Sequence, residues 1–398
     1  MKLITKQSKV KYGIWRAVGR TILLMLLIVL IPVSYVLPQI LIRGEAAEFY
    51  SRNVFPWVSM LAAAVNGMFL FSLTEMFVVV GSVTLAVLIV MFLIKCIKLM
   101  CTRDTRSLIH YVYVVLRNVA IIGIAAALCF ELMHGLNYNR MSVRKSMTLY
   151  SDTRPYEDYA ETLLWAYSGM VNARSSLGED YYGVAHMNTA FEVTVYDANV
   201  AVSSVGQHFD LGISPNYIRA KAVWLSRLWG YTDIVGVYDP FLGESNINTD
   251  YIDVLHFPVT VCHEITHARG YASETDANTI AILSCINSPR ADFRYAGYYY
   301  IFMHLWNTVN DYADYEGVAM TDYFSRNDFK PVMRDINAYN EYRESFNTGP
   351  IADLISRFSE DVNNAFLESN GQEGGTDTYV VPQDAYVEYY CRYVRADA

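Results

Sequence analysis

Residues 254–276 read Val254-Leu-His-Phe-Pro-Val-Thr-Val-Cys-His-Glu-Ile-Thr-His-Ala-Arg-Gly-Tyr-Ala-Ser-Glu-Thr-Asp276. Val254 to Arg269 has the apolar spacing of a helix. Pro258 stands near its first turn, where a missing N–H costs little, and Gly270 ends it. Ser273-Glu-Thr-Asp276 is a capping box that opens the next helix, with Ser273 as N-cap. The stretch therefore predicts two helices joined by a tight glycine bend. His263 and His267 are four residues apart and share a helix face, so both imidazoles can bind one metal ion.

Two histidines and a glutamate in this order suit Zn²⁺, with Glu264 beside the position a water would take. Glu274, on the first turn of the second helix, is the expected third ligand, and Asp276 is its rival. Asn278, one turn later, is placed to hold a ligand histidine or Glu274. In the chemistry that follows, Glu264 takes a proton from a zinc-acidified water and passes it to a leaving amine. Arg294, Tyr295 and Tyr298 are candidate donors to a developing oxyanion, and Tyr298 is the one assigned a catalytic role. His256 and His304 read as packing residues. Cys262 and Cys285 read as buried thiols that approach each other if their helices pack. The six cysteines form no C-x-x-C pair, which argues against a cysteine zinc site.

Working outward, the chain has 398 residues, 53% of them hydrophobic, and a formal charge of −9. Residues 1–134 hold 13 Lys/Arg against 5 Asp/Glu, so the acidic excess lies wholly in residues 135–398. That balance argues against nucleic acid as a partner for the second part. Three segments of the first part are long and apolar enough to be transmembrane helices, at about 21–41, 76–99 and 113–134. Ser72-Leu-Thr-Glu75 marks the start of the second. Residues 57–71 read as an interfacial or re-entrant piece. The first segment is too long for a signal peptide and lacks a small-residue cleavage site, so it is expected to stay as an anchor. Lys/Arg residues before the first span (Lys2 to Arg20) and between the second and third (Lys95 to Arg106) belong on the cytoplasmic side. Three spans then place residues 135–398 outside the cytoplasm.

In that second part, residues 150–175 predict a helix. Phe191-Glu-Val-Thr-Val-Tyr196 is β-branched enough for a strand, with a helix nearly as well supported. Tyr217 to Trp229 reads helical. Ile234–Tyr238 and Glu244–Asn248, joined through Asp239-Pro-Phe-Leu-Gly243, predict a hairpin whose edge could pair with an extended peptide. The rest reads helical, broken by the glycine-rich loop Asn370–Thr376 ahead of a tyrosine-rich end.

Tyr238-Asp-Pro-Phe-Leu-Gly-Glu244, Cys262 to Gly270, Glu274-Thr-Asp-Ala-Asn278 and Asp292 to Tyr298 together resemble one bacterial family. It is the domain-of-unknown-function family three-eight-one-zero, three-span membrane proteins placed in the gluzincin-like metallopeptidase clan. The resemblance covers most of the chain and is strongest from about 230 to 300. It implies two histidines and a downstream Glu as ligands, which falls here on Glu274. This chain has Asn278 where many such enzymes carry Asp, Asp276 where the family shows Glu, and a shorter His-to-Glu interval than the best-known gluzincins.

The sequence thus predicts a mainly α fold, with three transmembrane helices in residues 1–134 and an α-rich zincin-like domain with a small β-hairpin or sheet in 135–398. The expected function is that of a membrane-anchored, extracytoplasmic zinc metallopeptidase whose partners are the lipid bilayer and a peptide or protein substrate. A non-catalytic metal-binding sensor or scaffold, or an amide hydrolase acting on the cell envelope, are the alternatives. Nothing in the sequence sets the oligomeric state.

Overall fold

The computed structural model describes residues 2–150, 154–316, 326–346, 349–372 and 374–397. In chain order the first four longer helices are α1 (Lys2–Leu41), α2 (Phe55–Gly67), α3 (Leu73–Cys101) and α4 (Thr105–Met133). Three of them are long and apolar enough to cross a membrane: Ala17–Leu41 of α1, all of α3 and all of α4. The chain divides into two compact units. One comprises the residues up to Arg43 with Met76–Leu136, and the other comprises Gly44–Glu75 with Asn137–Ala398.

In the first unit α1 packs along α4. Gly123 of α4 leaves room for the Ile31 side chain, and Gln39 Nε2 donates to Glu131 Oε1 at 2.9 Å. A polar pair of this kind is well suited to joining two helices in lipid, where water cannot compete for the bond. The third apolar helix starts at Thr105, earlier than the sequence suggests, with the Asp104 side chain accepting from Ser107 N.

The second unit departs from the linear boundary at residue 134, because the segment between the first two apolar helices belongs to it. α2 buries Phe55, Ser59 and Asn66, the Ser59 hydroxyl donates to Ala268 O, and Asn66 Nδ2 donates to Leu242 O. Ser72 caps α3 as expected, accepting from Glu75 N at 2.9 Å. The Glu75 carboxylate, however, turns outward to accept from Trp224 N and Leu225 N.

After the second stretch enters come α5 (Tyr156–Arg174) and α6 (Phe191–His208). The β-branched run is thus helix, not strand. Val195, Ala198, Val202 and Val205 share a buried helical face, and Asn199 bonds both N–H and C=O of Ile218. Those bonds keep the following residues extended, so Tyr217–Trp229 is not one helix. It contains β1 (Lys221–Ala222) and a single turn, Ser226–Trp229.

The hairpin forms as read, from β2 (Gly236–Asp239) and β3 (Glu244–Ile247), in register Gly236↔Ile247 and Asp239↔Glu244. Strand order is β1-β3-β2, with β1 parallel to β3, so β2 is an edge. The turn is closed by Asp239 Oδ1 accepting from Phe241 N and by Gly243 at φ +64°. Next come α7 (Phe257–Ala268), α8 (Glu274–Ile286), α9 (Ala291–Glu316), α10 (Arg326–Glu344) and α11 (Pro350–Ser369). α7 and α8 are buried along nearly their whole length, packed on one another, on α6 and on α9.

Candidate metal centre

α7 is held from three sides. Pro258 occupies its first turn, the Ser245 hydroxyl of β3 donates to Glu264 O at 2.7 Å, and Gly270 reverses the chain at φ +102°. A side chain at Gly270 would be strained at that φ and would strike the Phe55 ring. The reversal returns Tyr271 O to within 2.7 Å of His267 Nδ1. Ser273 then caps α8, which points Glu274 back toward α7.

His263, His267 and Glu274 converge. His263 Nε2 lies 2.8 Å from His267 Nε2, and Glu274 Oε2 lies 3.1 and 3.3 Å from those two nitrogens. The protons on the far side of each ring follow from their partners. Tyr271 O can only accept, so His267 Nδ1 donates to it. Asn278 Nδ2 donates to Tyr379 O at 2.6 Å, which turns Asn278 Oδ1 toward His263 Nδ1 at 2.7 Å, and that ring nitrogen must also donate. When both rings are neutral, their Nε2 lone pairs and a Glu274 carboxylate oxygen therefore face one buried point.

Such a point calls for positive charge. Burial lowers His267, but Glu274 more than offsets this and its pKa is pushed up to about 9. Burial alone would raise Glu274, yet the two imidazoles hold its carboxyl well below the usual range. Two imidazole nitrogens and a carboxylate oxygen are donors of the kind Zn²⁺ takes. At about 2.0–2.2 Å from an ion, donors lie roughly 3.3 Å apart, which the two Glu274 separations approach while the nitrogen pair, at 2.8 Å, is closer. Among the described residues this trio is the one group of three or more His, Cys, Asp or Glu placed to hold an ion.

Glu264 stands beside the trio, buried, with Oε2 lacking a protein partner. Burial raises its pKa to about 6 against the pull of both histidines. Its other oxygen packs on the backbone of Gly236 in edge strand β2, where any Cβ would lie 2.6 Å from Oε1.

The other sequence candidates fall elsewhere. Asp276 turns away from the trio and accepts from Val143 N at 2.9 Å, so it serves the fold and not the metal point. Asn278 holds His263. Tyr298 is not brought to the cluster; its ring lies edge-on to Trp165 and against Gly169 of α5. Tyr295 donates to Asp335, and Arg294 to the Ser288 and Pro289 carbonyls. His256 stacks on Tyr339 and bonds Asp253, while His304 bonds the Tyr386 hydroxyl. Cys262 and Cys285 approach to 3.9 Å as free thiols.

The rings at the cluster are instead Tyr238 of β2, stacked near His267 at 6.1 Å, and Tyr379, stacked near His263 at 6.2 Å. Burial and then the Glu274 carboxylate raise the Tyr379 phenol, which is also close enough to feel Glu264. The hairpin makes Tyr238 findable from sequence. Tyr379 carries no local signal, since it arrives from a turn (Gly375–Tyr379) a hundred residues downstream.

A family model described as Protein of unknown function (DUF3810) matches residues 50–381. The chain belongs to this family. The matched span takes in α2, all three metal-point residues, Glu264 and Tyr379, so the whole arrangement above lies inside the family's region. No curated protein and no solved structure matches the chain.

Proposed function

We propose that this chain is a membrane-anchored zinc metallopeptidase of the gluzincin-like kind, with a zincin-like catalytic unit outside the cytoplasm that hydrolyses peptide bonds. One observation carries this reading. The Nε2 atoms of His263 and His267 and a carboxylate oxygen of Glu274 converge within 3.3 Å, next to Glu264, a buried glutamate whose Oε2 has no protein partner.

His263, His267 and Glu274 would hold the ion. Zn²⁺ in such a site lowers the pKa of a water and polarises a carbonyl oxygen. Glu264, at about 6, is poised to take a proton near neutral pH and to deliver it to the leaving amine. Tyr379 supplies an un-ionised phenol that can donate to an oxyanion, the role the sequence had given to Tyr298. Edge strand β2, packed on Glu264 through Gly236, offers backbone groups to an extended peptide.

The anchoring rests on three apolar helices and on the Lys/Arg clusters flanking them. Three crossings return the chain to the side it first reached, which agrees with Gly44–Glu75 and Asn137–Ala398 forming one unit. The deciding experiment measures zinc in purified full-length protein and in a His263→Ala/His267→Ala variant. About one zinc per chain, lost in the variant, supports the reading; equal and negligible zinc in both removes it. Peptide-library cleavage that Glu264→Gln abolishes then separates an enzyme from a metal-binding scaffold.

A further inference from the structure

We propose that the outward face of α2, continued by Phe71 and the turn at Trp224, is a membrane-contact surface seated in the interfacial layer of the lipid bilayer. The proposal rests on the anchoring proposed above and not on catalysis. Trp57, Met60, Leu61, Ala64, Val65 and Met68 recur at the spacing of one helix face, and all are exposed, Trp57 and Leu61 at 68% and Met68 at 72%. The opposite face is the one that buries Phe55, Ser59 and Asn66. Between Arg52 and Glu75 no residue is charged. A water-facing helix carries polar residues on its outer side, and this one carries none.

The surface beside it has the same character. Phe71 lies 6.2 Å from the Trp224 ring, which is 80% exposed, and Leu225 and Leu228 follow it. Asn66 ties the end of α2 to the hairpin turn, where Phe241 is also exposed. Tryptophan and phenylalanine rings with scattered cations suit the boundary between headgroups and chains, and Arg219, bonded to Gly67 O, and Arg227 supply the cations.

Continuity of the chain selects lipid over a protein partner. α3, apolar enough to cross a membrane, begins at Leu73, two residues beyond Phe71. Its first turn is fixed within this unit, with Thr74 N and Oγ1 donating to Glu244 at 2.8 and 2.9 Å. The residues that open this apolar helix therefore belong to the same unit as the surface and lie two to four residues along the chain from Phe71.

The test uses full-length protein in phosphatidylcholine–phosphatidylglycerol vesicles, with and without phosphatidylcholine brominated near the glycerol end of its acyl chains. Emission attributable to the two tryptophans is that of the wild type minus that of Trp57→Phe/Trp224→Phe, both substitutions being at mostly exposed positions. Bromine should quench this difference emission by half or more. If it leaves the emission unchanged, the proposal is overturned; iodide on both sides of the membrane then tells a water-facing surface from one covered by a second copy. Carbonate extraction of the same vesicles tests anchoring separately. Protein stripped by carbonate ends both readings, whereas retained protein with unquenched tryptophans ends only this one.

Discussion

Asn278 Nδ2 donates to the backbone carbonyl of Tyr379 at 2.6 Å, and this contact sets the proton position on His263. With its NH₂ committed to a carbonyl, Asn278 can only present oxygen to His263 Nδ1. A neutral amide thereby does the orienting that a carboxylate does in many histidine metal sites. Asn278→Leu should weaken zinc binding about 10–100-fold while the protein stays folded. Asn278→Asp should keep the acceptor for His263 but set a carboxylate against Tyr379 O, at a cost of about 1–3 kcal/mol. Chelator-competition titration reads the first effect and thermal unfolding the second.

Tyr379 and Tyr298 make opposing predictions. Tyr379→Phe should lower kcat about 10²–10³-fold with zinc content unchanged, as loss of an oxyanion donor does. Tyr298→Phe should leave kcat within about twofold, because that ring packs on Trp165. Steady-state kinetics on a cleaved library peptide would decide, and a reversed order would return the catalytic phenol to Tyr298.

Glu264→Gln should retain zinc and lose activity by about 10²–10⁴-fold, since the amide keeps the volume but cannot carry the proton. Metal analysis and turnover on one preparation are needed, because loss of both would make Glu264 structural.

His304 gives the folded unit a pH dependence. Burial lowers its pKa from 6.5 to about 4, so the unfolded chain takes up its proton first as pH falls. Its contribution is fully present above pH 6.5 and is lost as pH falls through 6.5 toward 4, by roughly 3 kcal/mol at most. His304→Gln, which can still bond the Tyr386 hydroxyl, should flatten that part of the stability profile. Denaturant midpoints between pH 4.5 and 7 for both proteins test it, and parallel profiles would exclude His304.

That His263, His267 and Glu274 come together was legible because their positions in the chain are local. His263, His267 and Glu274 lie within twelve residues, and helix spacing, Gly270 and the Ser273 cap determine how they meet. Asn278, one turn further, was legible for the same reason. Tyr379 and α2 were not, since each reaches the site only through contacts spanning a hundred residues or more, such as Ser59 to Ala268 O. The run at Phe191 misled because β-branched residues fit a strand locally. The helix followed from burial of Val195, Ala198 and Val202 on one face, which only the packed unit reveals. Tyr217–Trp229 failed likewise, its backbone being claimed by Asn199 and by Glu75.

The double entry of the chain into one unit bears on when the site can exist. Ser59 and Phe55 brace the end of α7 from a stretch that is synthesised before the second and third apolar helices, whereas the ligands follow both. On the three-span topology proposed above, the supporting and ligand-bearing stretches meet only after the third apolar helix has been inserted. On that topology a chain whose last apolar helix is not yet inserted holds His263, His267 and Glu274 without the brace from Phe55 and Ser59, so the order of insertion itself sets when the site can be completed.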